Sequence, residues 1–338
     1  RVNSVVADAI EVNATRWGAL QSDLATIFQH IESLVLGGGK RLRPQFAHWG
    51  RVAAGGDPMS EQSPRLGAGI ELLHVAALFH DDVIDDAATR RGTTAAHRAL
   101  AEQHHTQQWS GESRRHGEGS AILIGDFTYV LSDSLMDELS PAARIIWHDL
   151  RMEMNIGQYL DVLGSARRTR DLHEAELICR MKSVKYTIER PLHLGALLAA
   201  PTRDDLIPVL STYGLPLGDA FQMRDDVLGA FGDTAITGKP VGDDLREGKP
   251  TPLMAIATAR ANAVQLNELQ LVGNQDLTPE QIARVQQVIR ETGALDELES
   301  VITRLTDEAI AAVQNVPFTQ AVRDELITLA EYVSWRTV

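Results

Sequence analysis

The chain contains little cysteine and few aromatic residues. Among its 338 residues Cys179 is the only cysteine, and Phe, Trp and Tyr together account for 5%. One thiol cannot form a disulfide within the chain, so a disulfide-stabilised secreted scaffold is excluded and a reducing, cytoplasmic environment is expected. No apolar run approaches the roughly 20 residues that a membrane-spanning helix needs, so we expect no membrane span.

Positive charge is also scarce. The chain carries 32 Lys and Arg against 46 Asp and Glu, which gives a formal net charge of −14. Such an excess of acid repels a phosphate backbone over most of the surface, so nucleic acid is not expected as a partner. An anionic ligand must therefore be held locally, either by clustered Lys and Arg or through a metal ion.

Alternating apolar and polar runs, which are typical of β-strands, are almost absent. Apolar residues instead recur at spacings of three and four, which places them on one helix face. The first clear example comprises Leu20, Leu24, Ile27, Ile31 and Leu34. The glycine run 37–39 ends this helix, and a second helix over 67–86, with Pro64 near its start, is apolar nearly all round.

The rest of the chain also favours helices. Further helices are predicted over 118–138, 141–164, 171–200, 204–230, 252–270, 278–292, 295–315 and 319–336. Pro191 is expected to kink or interrupt one of them, and the polar segments 99–117 and 231–251 are expected to be irregular. No linker or repeat divides the chain, so we predict an all-α fold in which 1–338 form one helical domain with a central cavity.

An acidic cluster closes the most apolar of these helices. Asp81 and Asp85 lie four residues apart and share a face, with Asp82 near its edge. Carboxylates this close repel one another, and Mg²⁺ relieves the repulsion because it binds a few carboxylate oxygens, keeps waters and takes phosphate oxygens as its remaining ligands. An Asp pair alone is more often a solvated helix end, but Arg90 and Arg91 follow directly and favour a diphosphate site.

A similar cluster occurs late in the chain. Gln222, Asp225 and Asp226 share one face of a predicted helix. If both clusters face one cavity, they could hold about three metal ions between them. Basic candidates for the phosphates are Lys40, Arg43, Lys185, Lys239 and Lys249. A single lysine is usually a solvated surface residue, but Lys40 and Arg43 follow a glycine run whose backbone amides can approach an oxyanion.

From about residue 35 to 252, these motifs follow one another along the chain as they do in the trans-isoprenyl diphosphate synthases, the family of farnesyl, geranylgeranyl and longer-chain diphosphate synthases. The chain resembles that family. The resemblance implies a helical bundle of the isoprenoid synthase type, a homodimer, and Mg²⁺ as the metal with Mn²⁺ as a substitute. It assigns the isopentenyl diphosphate site to Lys40, Arg43, His74 and Arg91. It assigns the metal ions to Asp81, Asp82, Asp85, Asp225 and Asp226. It assigns the allylic diphosphate and catalysis to Arg90, Lys185, Thr187, Gln222, Lys239 and Lys249.

Two positions depart from the family's pattern. Gly229 stands where many members have the last Asp of the second motif, so a metal ion there must rely on Asp225 and Asp226, aided by Asp243 or Asp244. Tyr186 separates Lys185 from Thr187, which leaves open whether Tyr186 or Thr187 takes the role of the family's threonine.

The resemblance implies head-to-tail condensation of isopentenyl diphosphate with dimethylallyl, geranyl or farnesyl diphosphate. The growing tail should extend along the first acidic helix past Ala77, Ala76 and Leu73. Bulky aromatic residues at the two alanine positions stop growth at fifteen carbons in the family, so the alanines predict geranylgeranyl diphosphate as the main product. A farnesyl or a longer-chain product remains the alternative.

Three other interpretations compete with this one. A terpene cyclase would also ionise an allylic diphosphate, but it needs no isopentenyl clamp. A non-catalytic subunit of a heteromeric synthase typically lacks an aspartate motif, and Gly229 is the one hint of that. Zinc binding by the histidines at 97, 104, 105 and 116 matches no known ligand spacing, so a solvated loop or a lid that faces a partner is favoured there.

Overall fold

The computed structural model describes residues 1–232 and 241–335. Its internal contacts divide the chain into two compact units. The first unit comprises Arg1–His48 and Asp57–Ser140, and the second comprises Trp49–Gly56 and Pro141–Val338. Within the described ranges, extended structure is confined to a two-stranded hairpin, so the predicted all-α class is confirmed. The single domain stays a prediction.

Most helices of the first unit pack around one long apolar helix. The elements are α1 (Val2–Gly18), α2 (Leu24–Leu36), α3 (Leu42–Ala53, which continues into the second unit), α4 (Gln62–Ile84), β1 (Thr89–Arg90), β2 (Thr93–Thr94), α5 (Ala96–Thr106) and α6 (Ser113–Ser134). Helix α4 packs against α6, α1 and α2, and α5 packs against α6. Fully buried residues such as Ile31, Leu72 and Phe79 form their common core.

Helix α4 is buried nearly all round, as its composition predicted. Pro64 lies in its first turn, where a missing N–H costs nothing. At Gly69 an added Cβ would lie 2.3 Å from the Met136 methyl and 3.3 Å from the Ser132 carbonyl, so glycine favours the close approach of α6 and the segment after it. This tight packing fixes the direction of α4 and hence the position of the aspartates at its carboxyl end.

The second unit contains the remaining helices. They are α7 (Pro141–Arg167), α8 (Leu172–Cys179), a π-helical segment (Arg180–Glu189), α9 (Arg190–Ala199), α10 (Leu206–Phe231), α11 (Asp243–Glu247), α12 (Pro252–Arg260), α13 (Ala263–Leu269), α14 (Pro279–Glu291), α15 (Ala294–Gln314) and α16 (Gln320–Trp335). Helix α10 packs on α15 and on the π-helical segment, which also packs on α7. Buried residues including Leu253, Val285 and Leu298 form the core beside α10.

The predicted interruption near Pro191 is confirmed. The chain changes from α to π geometry at Arg180 and returns to α geometry at Arg190, so that Pro191 occupies the first turn of α9. A π-helical stretch inside an otherwise α-helical run rotates the side chains that follow, and such stretches are frequent at functional sites.

Two sequence-based expectations need correction. Most of 99–117 is helical, because α5 continues to Thr106 and α6 begins at Ser113. Leu20 does not belong to the apolar face of α2, since it precedes the helix and is 74% exposed. The other irregular prediction, 231–251, contains α11, and 233–240 lie outside the described residues.

Across the two described stretches, no helix is both long and apolar enough to cross a membrane.

Candidate active site

A hairpin returns an arginine to the acidic end of α4. Strands β1 and β2 pair Thr89 with Thr94 and Arg90 with Thr93. The two loop residues, Arg91 and Gly92, have φ angles of +52° and +75°, as a tight two-residue hairpin turn requires. Arg90 therefore lies beside Asp82, and its Nε donates a 2.6 Å hydrogen bond to Asp82 Oδ1.

The pairing of Arg90 with the acidic cluster decides the local electrostatics. Asp82 is 2% exposed, and burial raises the pKa of its carboxyl despite the opposing charge of Arg90. Burial opposes the charge of Arg90 as well, but Asp82 and Asp81 raise the pKa of its guanidinium. Arg90 Nη2 also lies 3.5 Å from Asp81 Oδ2, so one guanidinium bridges both carboxylates.

The second arginine of the hairpin binds backbone oxygens. Arg91 donates hydrogen bonds to the carbonyls of Leu34 and Gly38, the latter at 2.7 Å. Leu34 lies in the last turn of α2, whose carbonyls lack partners within the helix and carry the negative end of the dipole. Gly39 has a φ of +124°, and a Cβ there would lie 3.4 Å from Arg91 Nη2, so this backbone suits glycine.

The residues predicted for isopentenyl diphosphate gather in the first unit. Burial lowers the pKa of His74 well below its ordinary value, and the charges of Arg43 and Arg91 lower it further. His74 is therefore a neutral imidazole among arginines. Lys40 is exposed at the end of the glycine run, beside this group in sequence. The structure thus brings His74, Arg43 and Arg91 together with Arg90, as the sequence predicted.

Arg41, which is adjacent to these residues, has a structural role. Its Nη1 lies 2.6 Å from the buried Glu71 Oε2, and it also donates to the carbonyl of Val35. Its φ of +52° is unusual for a residue with a side chain. This anchor fixes the backbone between Lys40 and Arg43.

The second acidic cluster lies on α10 in the second unit. Asp226 is 4% exposed, and Gln222 Nε2 donates a 3.0 Å hydrogen bond to its Oδ1. Among the residues that the structure describes, Asp226 Oδ2 has no hydrogen-bond partner. Burial raises the pKa of this carboxyl well above its ordinary value, and the charges of Asp244 and Asp225 raise it further. A buried carboxylate with an unpaired oxygen suits a bound cation.

A third carboxylate reaches this cluster from α11. Asp244 Oδ2 lies 1.7 Å from the point where a Cβ of residue 229 would stand. Lys249 Nζ is 3.7 Å from Asp244 Oδ1 and also pairs with Glu247. Lys249 is therefore close to Asp244. Its binding to diphosphate stays a prediction, and Lys239 lies outside the described residues.

Lys185 is bound by a carboxylate of α7. Glu153 Oε1 accepts hydrogen bonds from Lys185 Nζ at 2.5 Å and from Arg190 Nη2 at 2.6 Å, and its Oε2 accepts from Arg190 Nε at 2.8 Å. These bonds outweigh burial and lower the pKa of Glu153. Tyr186 and Thr187 are 8% and 0% exposed. Both side chains are thus buried, and which of the two fills the family's threonine role stays open.

The structure points to a lysine that the sequence did not single out. Lys182 forms an ion pair with the buried Asp161. Burial raises the pKa of the Cys179 thiol, and its charged neighbours include Asp226, Asp161 and Lys182. Lys182 and Asp226 thus both act on the Cys179 thiol at the start of the π-helical segment. Ser183 follows it directly, so an uninterrupted Lys-hydroxyl pair was the signal in the sequence.

At both clusters the carboxylates fit a cation that takes its remaining ligands from a substrate and water. Within 1–232 and 241–335, no group of three or more His, Cys, Asp or Glu is arranged to hold a metal ion alone. This argues against zinc at the histidines, where His104 instead bonds to Ser113 Oγ at 2.9 Å. Mg²⁺ often uses one or two carboxylates and completes its octahedron with waters and phosphate oxygens.

The predicted chain-length positions lie on α4. Leu73 and Ala76 are fully buried, and Ala77 is partly buried. Leu73, Ala77 and Asp81 follow one another at intervals of four residues, so they share the face that ends in the acidic cluster.

The described helices carry two acidic clusters and, in the first unit, a basic clamp made by Arg43, Arg91 and His74, a combination that is typical of proteins acting on diphosphates. The polyprenyl synthetase family model matches residues 24–292. The chain therefore belongs to the polyprenyl synthetase family, and prenyl transfer is its class of reaction.

Individual relatives agree with this assignment. The crystal structure of geranylgeranyl pyrophosphate synthase from Corynebacterium glutamicum, complexed with isoprenyl diphosphate and magnesium, matches with a TM-score of 0.94 at 35% identity. That match covers 99% of this chain and 97% of the other. Geranylfarnesyl diphosphate synthase from Aeropyrum pernix is 30% identical over 88% of this chain and 89% of its own. Octaprenyl diphosphate synthase from Escherichia coli (strain K12) is 30% identical over 98% and 96%.

Proposed function

We propose that the protein condenses isopentenyl diphosphate head to tail with dimethylallyl, geranyl or farnesyl diphosphate, and that geranylgeranyl diphosphate is the main product. The observation that carries this proposal is that two different sets of charged side chains lie in the first unit. One is acidic and suits a metal-bound diphosphate, namely Asp81 and Asp82 with Arg90. The other, made by Arg43, Arg91 and His74, is basic and suits direct contact. Two such groups fit two diphosphate substrates, whereas a terpene cyclase needs one.

The metal is proposed to be Mg²⁺, with about three ions bound alongside diphosphate and Mn²⁺ able to replace them. Two observations support this choice. Asp226 Oδ2 is buried and, among the described residues, has no hydrogen-bond partner. Asp81 and Asp82 are neighbours at the end of α4, and both lie against the guanidinium of Arg90. Asp81, Asp82 and Asp85 of the first unit would hold ions, and so would Asp225 and Asp226 of the second unit. When bound, these ions would neutralise the charge that develops on the departing diphosphate.

The chain's own residues provide the remaining electrostatic stabilisation. Arg90, Lys182 and Lys249, together with the predicted Lys185 and Lys239, are positively charged groups for the leaving diphosphate. Lys40, Arg43, His74 and Arg91 would hold isopentenyl diphosphate so that its double bond meets the allylic carbon. Neutral His74 can donate one hydrogen bond without adding charge. The released diphosphate is the proposed acceptor of the final proton.

The product length is proposed from Ala76 and Ala77, because their small side chains would not block a tail longer than fifteen carbons along α4. A longer product is the second candidate, because the Escherichia coli octaprenyl diphosphate synthase matches nearly the whole chain. The purified protein should be incubated with farnesyl and isopentenyl diphosphates and Mg²⁺, and the hydrolysed products chromatographed. Geranylgeraniol as the main alcohol supports the proposal. Farnesol alone would contradict it, and alcohols beyond twenty carbons would favour the second candidate.

A homodimer and a cytoplasmic location complete the proposal. Helix α7 exposes an apolar row in which Ile145, Met152 and Tyr159 are 62%, 63% and 68% exposed. Helix α6 likewise exposes Phe127 and Val130, which are 44% and 69% exposed. Exposed apolar rows of this kind often mark interfaces, and a second copy of the chain is the proposed partner. The cytoplasmic location is supported by the single cysteine.

A further inference from the structure

We propose that His80 is a positioning residue, which holds the acidic end of α4 against α6 and thereby sets where Asp81 and Asp82 lie. The inference rests on the proposed function, because that function gives these two carboxylates a part in the reaction. His80 itself has no direct part in the proposed chemistry.

The imidazole of His80 contacts α6 at two polar groups. Its Nε2 lies 3.0 Å from the carbonyl oxygen of Ile122 and 3.3 Å from Asp126 Oδ1. A carbonyl oxygen can only accept a hydrogen bond, so Nε2 carries a proton and donates it. Both partners belong to α6, and His80 directly precedes Asp81 in the chain. One ring therefore joins the carboxyl end of α4 to the neighbouring helix.

Gly125 provides the space that this ring occupies. A Cβ built at Gly125 would lie 2.3 Å from Nε2, 2.4 Å from Cδ2 and 3.2 Å from Cε1 of His80. Gly125 lies inside α6 and its φ is not positive, so the backbone conformation does not require glycine. Glycine inside a helix is less favourable than alanine. The close approach of the ring therefore explains why position 125 has no side chain.

The buried apolar residues of α4 stop before the acidic cluster. The last of them is Phe79, which is 2% exposed, whereas Ile84 near the end of the helix is 48% exposed. The residues between them include two neighbouring aspartates, whose charges repel one another. The hydrogen bond from His80 therefore extends the contact between α4 and α6 to the start of the acidic cluster.

The last turn of α4 connects this contact to the aspartates. The amides of Asp85 and Ala87 donate to the carbonyls of Asp81 and Asp82 at 2.8 and 2.9 Å. If His80 no longer binds α6, this turn should open more often, and the two carboxylates should move with it. A displacement of about 1 Å in a group that positions a substrate can lower turnover about a hundredfold.

Hydrogen–deuterium exchange tests the positioning directly. His80→Ala should raise the exchange rate of the amides in 83–88 about tenfold or more, because local opening becomes easier. His80→Gln should exchange like the wild type, since its amide group can donate in place of Nε2. Gly69→Ala is the matched control, because its added Cβ also lies 2.3 Å from a side chain, that of Met136. It should leave exchange in 83–88 unchanged.

Steady-state kinetics test the consequence for the reaction. His80→Ala should lower kcat/KM for farnesyl diphosphate about tenfold to a hundredfold and leave KM for isopentenyl diphosphate nearly unchanged. Gly125→Ala should act similarly, because its methyl group displaces the ring. In the double variant His80→Ala/Gly125→Ala the clash is gone, so the urea midpoint should rise above that of Gly125→Ala. Its kcat/KM should stay as low as that of His80→Ala, since both changes remove the same contact.

Three results would overturn the positioning role of His80. They are unchanged exchange in 83–88 in His80→Ala, equally fast exchange there in Gly69→Ala, and a wild-type kcat/KM for farnesyl diphosphate in His80→Ala. If the wild-type protein consumes no isopentenyl diphosphate, the proposed function fails instead. Faster exchange in His80→Ala would then still support the contact that holds α4 against α6.

Discussion

At the residue scale, the basic groups of the candidate site are held in place by acidic neighbours. Arg90 is paired with Asp82, and Lys185 with Glu153. Ordering a long charged side chain costs up to about 2 kcal/mol of conformational entropy. Because the folded chain already pays this cost, little further ordering is needed when a diphosphate binds. Preorganised charge of this kind is what stabilises a developing anion most effectively.

The two lysines of the π-helical segment should respond differently to removal. Lys182→Ala is expected to lower kcat by about a hundredfold or more, because the positive charge proposed for the leaving diphosphate is lost. It should also lower the free energy of unfolding by about 1–3 kcal/mol, because the buried Asp161 loses its ion-pair partner. Lys185→Ala is expected to lower the free energy of unfolding by about 1–3 kcal/mol, because Glu153 loses one of its two partners, and to change kcat less.

Steady-state kinetics with farnesyl and isopentenyl diphosphates and urea unfolding measure both effects. The opposite result, with turnover lost in Lys185→Ala and kept in Lys182→Ala, would show that Lys185, and not Lys182, is the lysine that stabilises the leaving diphosphate.

The chain-length prediction also belongs to single residues. Ala76→Phe should shift the product from twenty toward fifteen carbons, because a ring on α4 would block the path of the tail. Ala76 is fully buried, so the larger side chain should also destabilise the fold by about 1–3 kcal/mol. Chromatography of the hydrolysed products gives the chain length, and thermal unfolding shows whether the protein remains folded. An unchanged product distribution would mean that the tail does not pass this residue.

At the element scale, local signals predicted most helices, and tertiary packing decided the rest. The break at Pro191 and the end of α2 at the glycine run follow from local chemistry. Segment 99–117 is polar and gave no periodic signal, yet α5 forms because Leu100 and His104 are buried while α5 packs on α6.

The candidate site was predictable to a similar degree. Arg90 and Asp82 lie eight residues apart in sequence, and their pairing follows from the hairpin. The approach of Asp244 to Gly229 joins residues fifteen positions apart, and no periodicity of a helix predicts it. Lys182 was overlooked because its neighbour is serine and because the π geometry changes which side chains share a face.

The hairpin is the element whose geometry can be tested alone. Gly92→Val places a branched side chain at a φ of +75°, which should cost about 1–3 kcal/mol and loosen the turn that carries Arg90. We expect the KM for the allylic substrate to rise severalfold, because Arg90 moves away from Asp82.

Gly55→Val is the matched control, since Gly55 has a φ of +85° and an added Cβ meets nothing within 4 Å at either glycine. A similar rise in KM for the allylic substrate in both variants would show that the effect is general destabilisation.

At the scale of the whole molecule, each unit carries part of the predicted chemistry. The first unit holds Asp81, Asp82 and the basic clamp, and the second holds Asp226 with Lys182 and Lys249. Neither unit alone contains both acidic clusters, so the proposed reaction requires the full chain. The apolar rows on α6 and α7 favour association with a second copy of the chain, because apolar side chains that stay exposed in a single chain are costly in water.

The dimer prediction tests the row on α7. Met152 and Tyr159 lie seven residues apart, two turns along one face, and both are more than 60% exposed. The double variant Met152→Glu/Tyr159→Glu should leave the chain folded and abolish association, because two charges would be buried between the copies. Light scattering after size-exclusion chromatography should give twice 37.0 kDa for the wild type and 37.0 kDa for the variant. Val264→Glu, at a residue 74% exposed on α13, is the control and should remain a dimer. Equal masses for the wild type and the double variant would show that this face of α7 does not join two copies.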